Sequence, residues 1–307
     1  MEQHCIVLLS TYNGQTFLTE QLDSITNQDY PGIITTLVRD DGSCDDTLSI
    51  LDSYPQTEAR RLQVIKGENI RPQRSFLELI RLAPEADYYF FADQDDVWDT
   101  DKITVATKAM SNLEGPVCWC ANFRHTHTDL SIYEEKALTE KPPFTPLQII
   151  FYNQIPGCCM GFNRALMELL QAIELPNVMM HDSYALALAA ACGKVLYDDN
   201  ARISHRIHES NVVGHGHKKI ILHKWIPEKL KLLFGKEDYD LSEMAGQFLQ
   251  VAGDRIHPRY RQDLILLRDF KKCSKCKRKL LRHPHSQGKL FDRTVTSIRC
   301  KIRFNIF

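Results

Sequence analysis

Two hydrophobic rhythms alternate along the first hundred residues. Short runs rich in β-branched and aromatic side chains, Cys5–Leu9, Ile33–Arg39, Leu62–Ile65 and Tyr88–Ala92, read as strands. Between and after them, Phe17–Thr26, Asp46–Ser53, Arg74–Leu82 and Lys102–Leu113 carry apolar residues three and four apart, as helices with one buried face do. This β-α-β-α order predicts an α/β fold, a mostly parallel sheet flanked by helices. Ligands in such sheets bind beyond the carboxyl ends of the strands. Three segments fall there: Ser10-Thr11-Tyr12-Asn13-Gly14, Asp40-Asp41-Gly42-Ser43 and Asp93-Gln94-Asp95-Asp96. A second section, Val117 to Val213, holds a Cys-rich strand at Val117–Asn122, the loop Pro156-Gly157-Cys158-Cys159-Met160-Gly161 and a helix opening at His181-Asp182. Past Gly216 the pattern changes to short Lys- and Leu-rich pieces. The predicted division is a domain over 1–215 and a basic, mainly helical region over 216–307.

Composition adds exclusions. With 43% hydrophobic and 25% charged residues in 307, the chain has ample material for a core and is not a disordered polymer. Its longest apolar stretch, Ala185 to Cys192, is far short of the roughly 18–20 residues of a spanning helix. Met1-Glu2-Gln3-His4 leads straight into a strand, so no secretory signal is expected and the ten cysteines are expected to be free thiols in a reducing compartment. Cys273 and Cys276 with His283 and His285 could supply four zinc ligands, but their spacing matches no common finger. The net charge of −1 conceals a segregation: from Arg268 onward there are 13 Lys and Arg against two Asp, so the rest of the chain is acidic. Leu280, Leu281, Phe291, Ile298, Ile302, Phe304, Ile306 and Phe307 are interleaved with those cations. That pattern suits peripheral association with an anionic membrane surface.

The polar segments suggest chemistry by residue type. Asp93 and Asp95, alternate residues after a hydrophobic strand, can converge on one hard cation if the chain stays extended. Gly42 permits a turn, and Ser43 or Asp45 can cap the next helix. Asp40 and Asp41 are left as acceptors for a pyrimidine N–H or ribose hydroxyls. Tyr12 offers a face on which a base can stack, a contact worth about 1–3 kcal/mol. Asp182 can be a helix cap or a general base, and an N-terminal helix position favours its ionised form.

In this order the segments resemble the inverting family 2 glycosyltransferases with the GT-A fold. Asp93-Gln94-Asp95-Asp96-Val97-Trp98, His181-Asp182 and Asn211-Val212-Val213-Gly214 are most similar to the bacterial rhamnosyltransferase-like branch. The resemblance runs from about Cys5 to Gly214. It implies that Ser10, Tyr12, Asn13, Asp40, Asp41, Asp93 and Gln94 bind the nucleotide-sugar, and that Asp95, with Asp93 and His208, holds Mn2+ or Mg2+. Arg206 and His208 would lie at the diphosphate. Trp98, Gly157, Cys158 and His181 would line the sugar or acceptor pocket, with Asp182 as catalytic base. The implied function is transfer of a sugar, dTDP-rhamnose being the favoured donor, to a cell-surface polysaccharide or lipid-linked glycan. A UDP-hexose or UDP-N-acetylhexosamine is the alternative donor. The expected location is cytoplasmic, on the inner face of the membrane, with no nucleic-acid partner. A nucleotidyltransferase would show a Gly-rich basic signature that Ser10–Gly14 lacks, and a glycoside hydrolase needs no nucleotide pocket. A non-catalytic nucleotide-sugar-binding subunit of an assembly complex remains the alternative of another class, opposed by the presence of every expected acid.

Overall fold

In the computed structural model the described residues are 3–174, 179–208, 239–283 and 302. The strand-like runs form the centre of a sheet. β1 (His4–Thr11), β2 (Ile33–Asp40) and β4 (Tyr88–Ala92) are covered on both faces, and every residue of β4 is buried. β3 (Arg60–Lys66) lies at the edge and stays partly exposed along its length. The four pair in parallel in the order β3-β2-β1-β4, with Thr11 beside Asp40 and Leu9 beside Ala92. The chain therefore leaves β1, β2 and β4 on one edge, the placement the pattern predicts.

Helices α1 (Leu18–Thr26), α2 (Thr47–Ser53), α3 (Arg71–Leu82) and α4 (Lys102–Met110) follow these strands. α3 begins earlier than its apolar periodicity because Pro72 suits the first turn. Past β4 the sheet becomes mixed. β8 (Met160–Asn163) runs antiparallel between β4 and β6 (Val117–Thr126). The long β9 (Lys194–Arg206) lies parallel to β6, and the two-residue β5 (Val97–Trp98) pairs with β9. β7 (Ile132–Glu134) folds back on the end of β6. Since β6 is antiparallel to β8 and β8 to β4, the carboxyl ends of β6 and β9 lie on the same edge as those of β1 and β4.

The second half adds α5 (Pro146–Phe151), α6 (Arg164–Gln171) and α7 (His181–Cys192). α7 is apolar all round because it is covered all round: Tyr184 meets Phe248, ring centres 5.8 Å apart, and the Ala191 carbonyl accepts from His257 N at 2.8 Å. Helices Leu241–Ala252, Pro258–Asp269 and Ser274–Arg282 thus bury Met244, Phe248, Leu264, Leu267 and Leu280 in the same core. The boundary at 215/216, Asn211–Gly214 and His285 lie outside the described residues. The described cysteines are free thiols. Cys273 accepts from Cys276 N at 3.2 Å as a helix cap, and His283 pairs with Asp263 at 3.3 Å. No helix among the described residues is long and apolar enough to cross a membrane.

Candidate active site

The three polar segments meet and are knitted by side chain to backbone bonds. Asn13, in the left-handed region at φ 47°, donates its N–H to Ser43 Oγ at 2.9 Å and accepts from Cys44 N at 2.9 Å. Gly14 N donates to Thr47 Oγ1 at 2.8 Å. Gln94 clamps Tyr12 from both sides, its Oε1 accepting from Tyr12 N at 2.9 Å and its Nε2 donating to Tyr12 O at 3.0 Å. Position 14 must be glycine for this approach, since a Cβ there would stand 2.3 Å from Gln94 Oε1. The clamp leaves the Tyr12 ring 46% exposed on the site's rim. Ser10 Oγ lies 2.7 Å from Ser75 Oγ at the base of the loop.

Asp40 and Asp41 turn away from the opening. Asp40 accepts from Thr11 Oγ1 at 3.0 Å, Gly42 N at 3.2 Å, Ser43 N at 2.9 Å and Ser43 Oγ at 2.6 Å. Four donors fill the acceptor sites of one carboxylate. Asp41 pairs with Arg39 and accepts from Ile70 N and Arg71 N, each at 3.0 Å. Both are buried. In this arrangement hydrogen bonds within the chain use their oxygens and shape the loop.

The acidic segment is a turn, not a continued strand. Asp93 and Asp95 therefore do not alternate as extended residues do. Asp95 Oδ2 lies 2.7 Å from His208 Nε2, uniting two of the residues expected to hold a metal. Asp96 folds inward to full burial, where its Oδ1 accepts from His205 Nδ1 at 2.9 Å and from Arg206 N at 3.2 Å. The turn after β4 is thereby tied to the end of β9, which carries His208. Burial, followed by Asp96 and Asp95, pushes Asp93 up to about 7, and Asp182 adds to the rise. Burial and Asp96 raise Asp95 against the opposing pull of His208. Burial would raise Asp96 too, but His205 holds it below the usual carboxylate range. Burial would lower His205, yet Asp96 carries it up to about 10.

One ligand atom each of Asp96, Cys158 and His205 lies within 4.8 Å of the others, the one such convergent group among the described residues. There His205 is paired with Asp96, and a hydrogen bond with Cys159, followed by burial, holds the Cys158 thiol well above its ordinary value. Asp95 and His208 pair directly, a donor set of the kind that takes a hard divalent cation, while Asp93 does not converge on them as a third ligand among the described residues.

Asp182 opens α7 beside this turn. Its Oδ1 accepts from Ser183 N, and the Asn153 side chain also bonds it. Burial nevertheless pushes its carboxyl up to about 6, so desolvation outweighs the helix-terminal and hydrogen-bond effects that favour ionisation. His181 points the other way: buried, it stacks on Phe76 at 3.6 Å and meets Phe91 edge-on at 4.7 Å. Burial lowers it to about 3, leaving a neutral ring whose nitrogens have no hydrogen-bond partner among the described residues. Gly157 makes room for it, since a Cβ there would lie 2.2 Å from His181 Nε2. Cys158 is fully buried, and Trp98 is buried because pairing of β5 with β9 turns it inward under Lys102, whose Nζ is 3.2 Å from its ring centre. Trp98, Gly157, Cys158 and His181 are thus all buried in the wall beside the site.

Arg206 is buried, pairs with Glu20, lies 4.3 Å from the Phe17 ring centre and donates to Thr128 O at 2.8 Å, so it ties the end of β9 to α1 and to the turn after β6. Sequence reasoning missed the Asp96–His205 pair and Lys102, whose Nζ donates to Cys158 O at 2.5 Å and which burial lowers to about 7. Asp96 was legible only as one more acid in a run. No periodic signal marks His205 as its partner 109 residues away.

Known proteins supply a comparison. The family model Glycosyl transferase family 2 matches residues 6–173. The dTDP-rhamnosyl transferase RfbG of Shigella flexneri is 27% identical over 67% of this chain and 73% of its own. The structure of Staphylococcus aureus TarS 1–349 in complex with UDP-GlcNAc superposes with a TM-score of 0.53 at 16% identity, covering 99% of this chain and 93% of that one. Mannosyltransferase PcManGT from Pyrobaculum calidifontis, in complex with GDP-Man and Mn2+, gives a TM-score of 0.54 at 15% identity, covering 100% and 81%.

Proposed function

Because the chain belongs to glycosyltransferase family 2 and has the GT-A fold, we propose that it moves a sugar from a nucleoside diphosphate donor to a glycan hydroxyl with inversion at the anomeric carbon. One observation carries this reading: Asp182, a buried carboxyl at the start of α7, stands close enough to the acidic turn after β4 to perturb Asp93. Inverting transfer needs that division. The acceptor hydroxyl must lose a proton as its oxygen attacks, so one carboxylate within hydrogen-bond reach serves as base. Asp182, with a pKa of about 6, is ionised at neutral pH yet basic enough to take that proton. Asn153 and Ser183 N fix its orientation. Attack from the side opposite the departing diphosphate inverts the carbon.

Asp95 and His208, with Asp93 beside them, are the residues that would hold Mg2+ or Mn2+, which when bound offsets the charge developing on the diphosphate. The direct pairing of Asp95 Oδ2 with His208 Nε2 supports this fit. The exposed Tyr12 ring, held by Gln94, is the surface for the base, while Asn13, Asp40, Asp41 and Ser10 keep its loop in shape. Similarity to a dTDP-rhamnosyl transferase over 67% of the chain supports dTDP-rhamnose as donor, and a UDP-hexose or UDP-N-acetylhexosamine is the alternative. The acids gathered at the turn after β4 and the start of α7 argue against a non-catalytic binding subunit. Helix Ser274–Arg282 and its approach expose Lys272, Lys275, Arg278 and Lys279, which supports contact with an anionic membrane surface.

Nucleoside diphosphate release from dTDP-rhamnose, UDP-glucose and UDP-N-acetylglucosamine in the presence of Mn2+ tests the reading. One donor should be consumed by the wild type, and both Asp182→Asn and Asp95→Ala should lose that activity at least a hundredfold. Consumption unchanged in Asp182→Asn would contradict it.

A further inference from the structure

Beside the catalytic turn a row of rings leads out along the β6–β7 hairpin. It starts at His205, the partner of Asp96, and passes to His125 at 6.0 Å between ring centres, with Phe123 packed on both at 5.7 and 5.3 Å. Tyr133 lies parallel to His125 at 5.8 Å, and His127 closes the row 4.8 Å from Tyr133. The inner rings are covered, but the outer ones are not: Tyr133 is 50% exposed and His127 is exposed beside it.

The hairpin is built to hold this shape. His127 N donates to Ser131 O at 3.0 Å, Leu130 N to His127 O at 3.1 Å, and Ser131 N and Oγ to Asp129 Oδ1 at 3.0 and 2.5 Å. His125 Nδ1 lies 2.6 Å from Glu134 Oε2 across the strands. The buried Arg206 reaches its turn through Thr128 O, so the platform is tied to the strand end from which His208 extends to Asp95. The carboxyl end of β6 shares the sheet edge of the catalytic turn, and the hairpin continues from it.

We infer that the Tyr133–His127 face is the subsite for the acceptor, binding an uncharged saccharide unit next to the residue whose hydroxyl is activated; this rests on the transferase reading above. Flat rings match the C–H face of a pyranose, and the hydroxyls around a sugar's edge find Asp129, Ser131 and Glu134 on the rim. Charge narrows the class. Between His125 and Glu135 there are three acids and no Lys or Arg, and the neighbouring Arg124, Lys136 and Arg206 are paired with Asp99, Asp199 and Glu20, so a phosphate-rich polymer would meet net repulsion.

An array of neutral oligosaccharides (rhamnose, hexose and N-acetylhexosamine oligomers) and of polyol phosphate oligomers tests this with the full-length wild type, Tyr133→Ala and Tyr133→Phe. Nucleotide-sugar binding with Mn2+ is measured on the same preparations. The expected result is wild-type binding to a neutral oligosaccharide, at least a tenfold loss in Tyr133→Ala, near-complete retention in Tyr133→Phe, and donor affinity within twofold in all three. Binding confined to the phosphate oligomers, saccharide binding unaffected by Tyr133→Ala, or no saccharide binding while the donor is bound would each overturn the subsite. Failure of every donor to bind would instead overturn the transferase reading on which it rests.

Discussion

Replacing Asp182 by Asn should inactivate the protein and stabilise it together, and the structure sets both magnitudes. The wild-type carboxyl is raised from 3.8 to about 6, chiefly by burial. As a base it should be about nine-tenths ionised at pH 7 and about one-tenth at pH 5, so kcat/KM should fall roughly tenfold per pH unit below 6. For folding, the folded-state pKa lies above the unfolded one. Stability is therefore highest where Asp182 is protonated in both states, declines as pH rises from about 3.8, and levels off above about 6. The full rise corresponds to about 3 kcal/mol, and partial access to water reduces this to about 2 kcal/mol. Asn keeps an acceptor for Ser183 N and carries no charge to desolvate, so at pH 8 the variant should melt a few degrees higher than the wild type. Its turnover should fall by about 10²–10⁴ through loss of the base. The assay pairs initial rates from pH 5 to 9 at saturating Mn2+ with melting curves over the same range. A flat wild-type rate down to pH 5, or a variant that melts lower at pH 8, would refute the reasoning.

Other substitutions separate supporting from reacting groups. Asp96→Asn breaks a buried ion pair and should cost about 3–5 kcal/mol of stability; by loosening the tie between the catalytic turn and the strand end leading to His208, it should also weaken Mn2+ binding in calorimetry. Gly14→Ala drives a methyl into Gln94 Oε1 and should cost about 1–3 kcal/mol, with Gln94→Ala in the same chain restoring much of the melting temperature. His181→Leu replaces a buried imidazole without polar partners among the described residues and should leave donor consumption within a few-fold and stability unchanged or higher. Changing Lys272, Lys275, Arg278 and Lys279 to Glu should abolish co-sedimentation with anionic vesicles, since each cation contributes about 1 kcal/mol there; unchanged partitioning would remove the membrane proposal.

The parallel half of the sheet was legible because its strands are buried on both faces and interrupted by amphipathic helices. Cys5–Leu9 and Tyr88–Ala92 carry that signal in themselves. The mixed half was legible only in part: the strand at Val117–Asn122 is the core of β6, but β5 has two residues, β8 four, and β9 includes Asp198-Asp199-Asn200, so these three show no strand period and their order depends on pairing across the molecule. The same distinction runs through the site. Residue type and position relative to strand ends drew attention to Asp93, Asp95 and Asp182. Direction was invisible: whether Asp40, Trp98, His181 or Arg206 faces the opening depends on hydrogen bonds and packing with residues far away in sequence. The expectation for Asp182 failed in one respect for a related reason, since a helix terminus is local whereas burial comes from the whole fold.

Calorimetric titration of the wild type with dTDP-rhamnose, UDP-glucose and UDP-N-acetylglucosamine, each with Mn2+ and again with EDTA, tests the central claim most directly. The account predicts saturable binding of one donor that requires the metal, is lost in Asp95→Ala and is retained in Asp182→Asn. Binding indifferent to EDTA, or abolished by Asp182→Asn and not by Asp95→Ala, would contradict the division of roles between the acidic turn and the base.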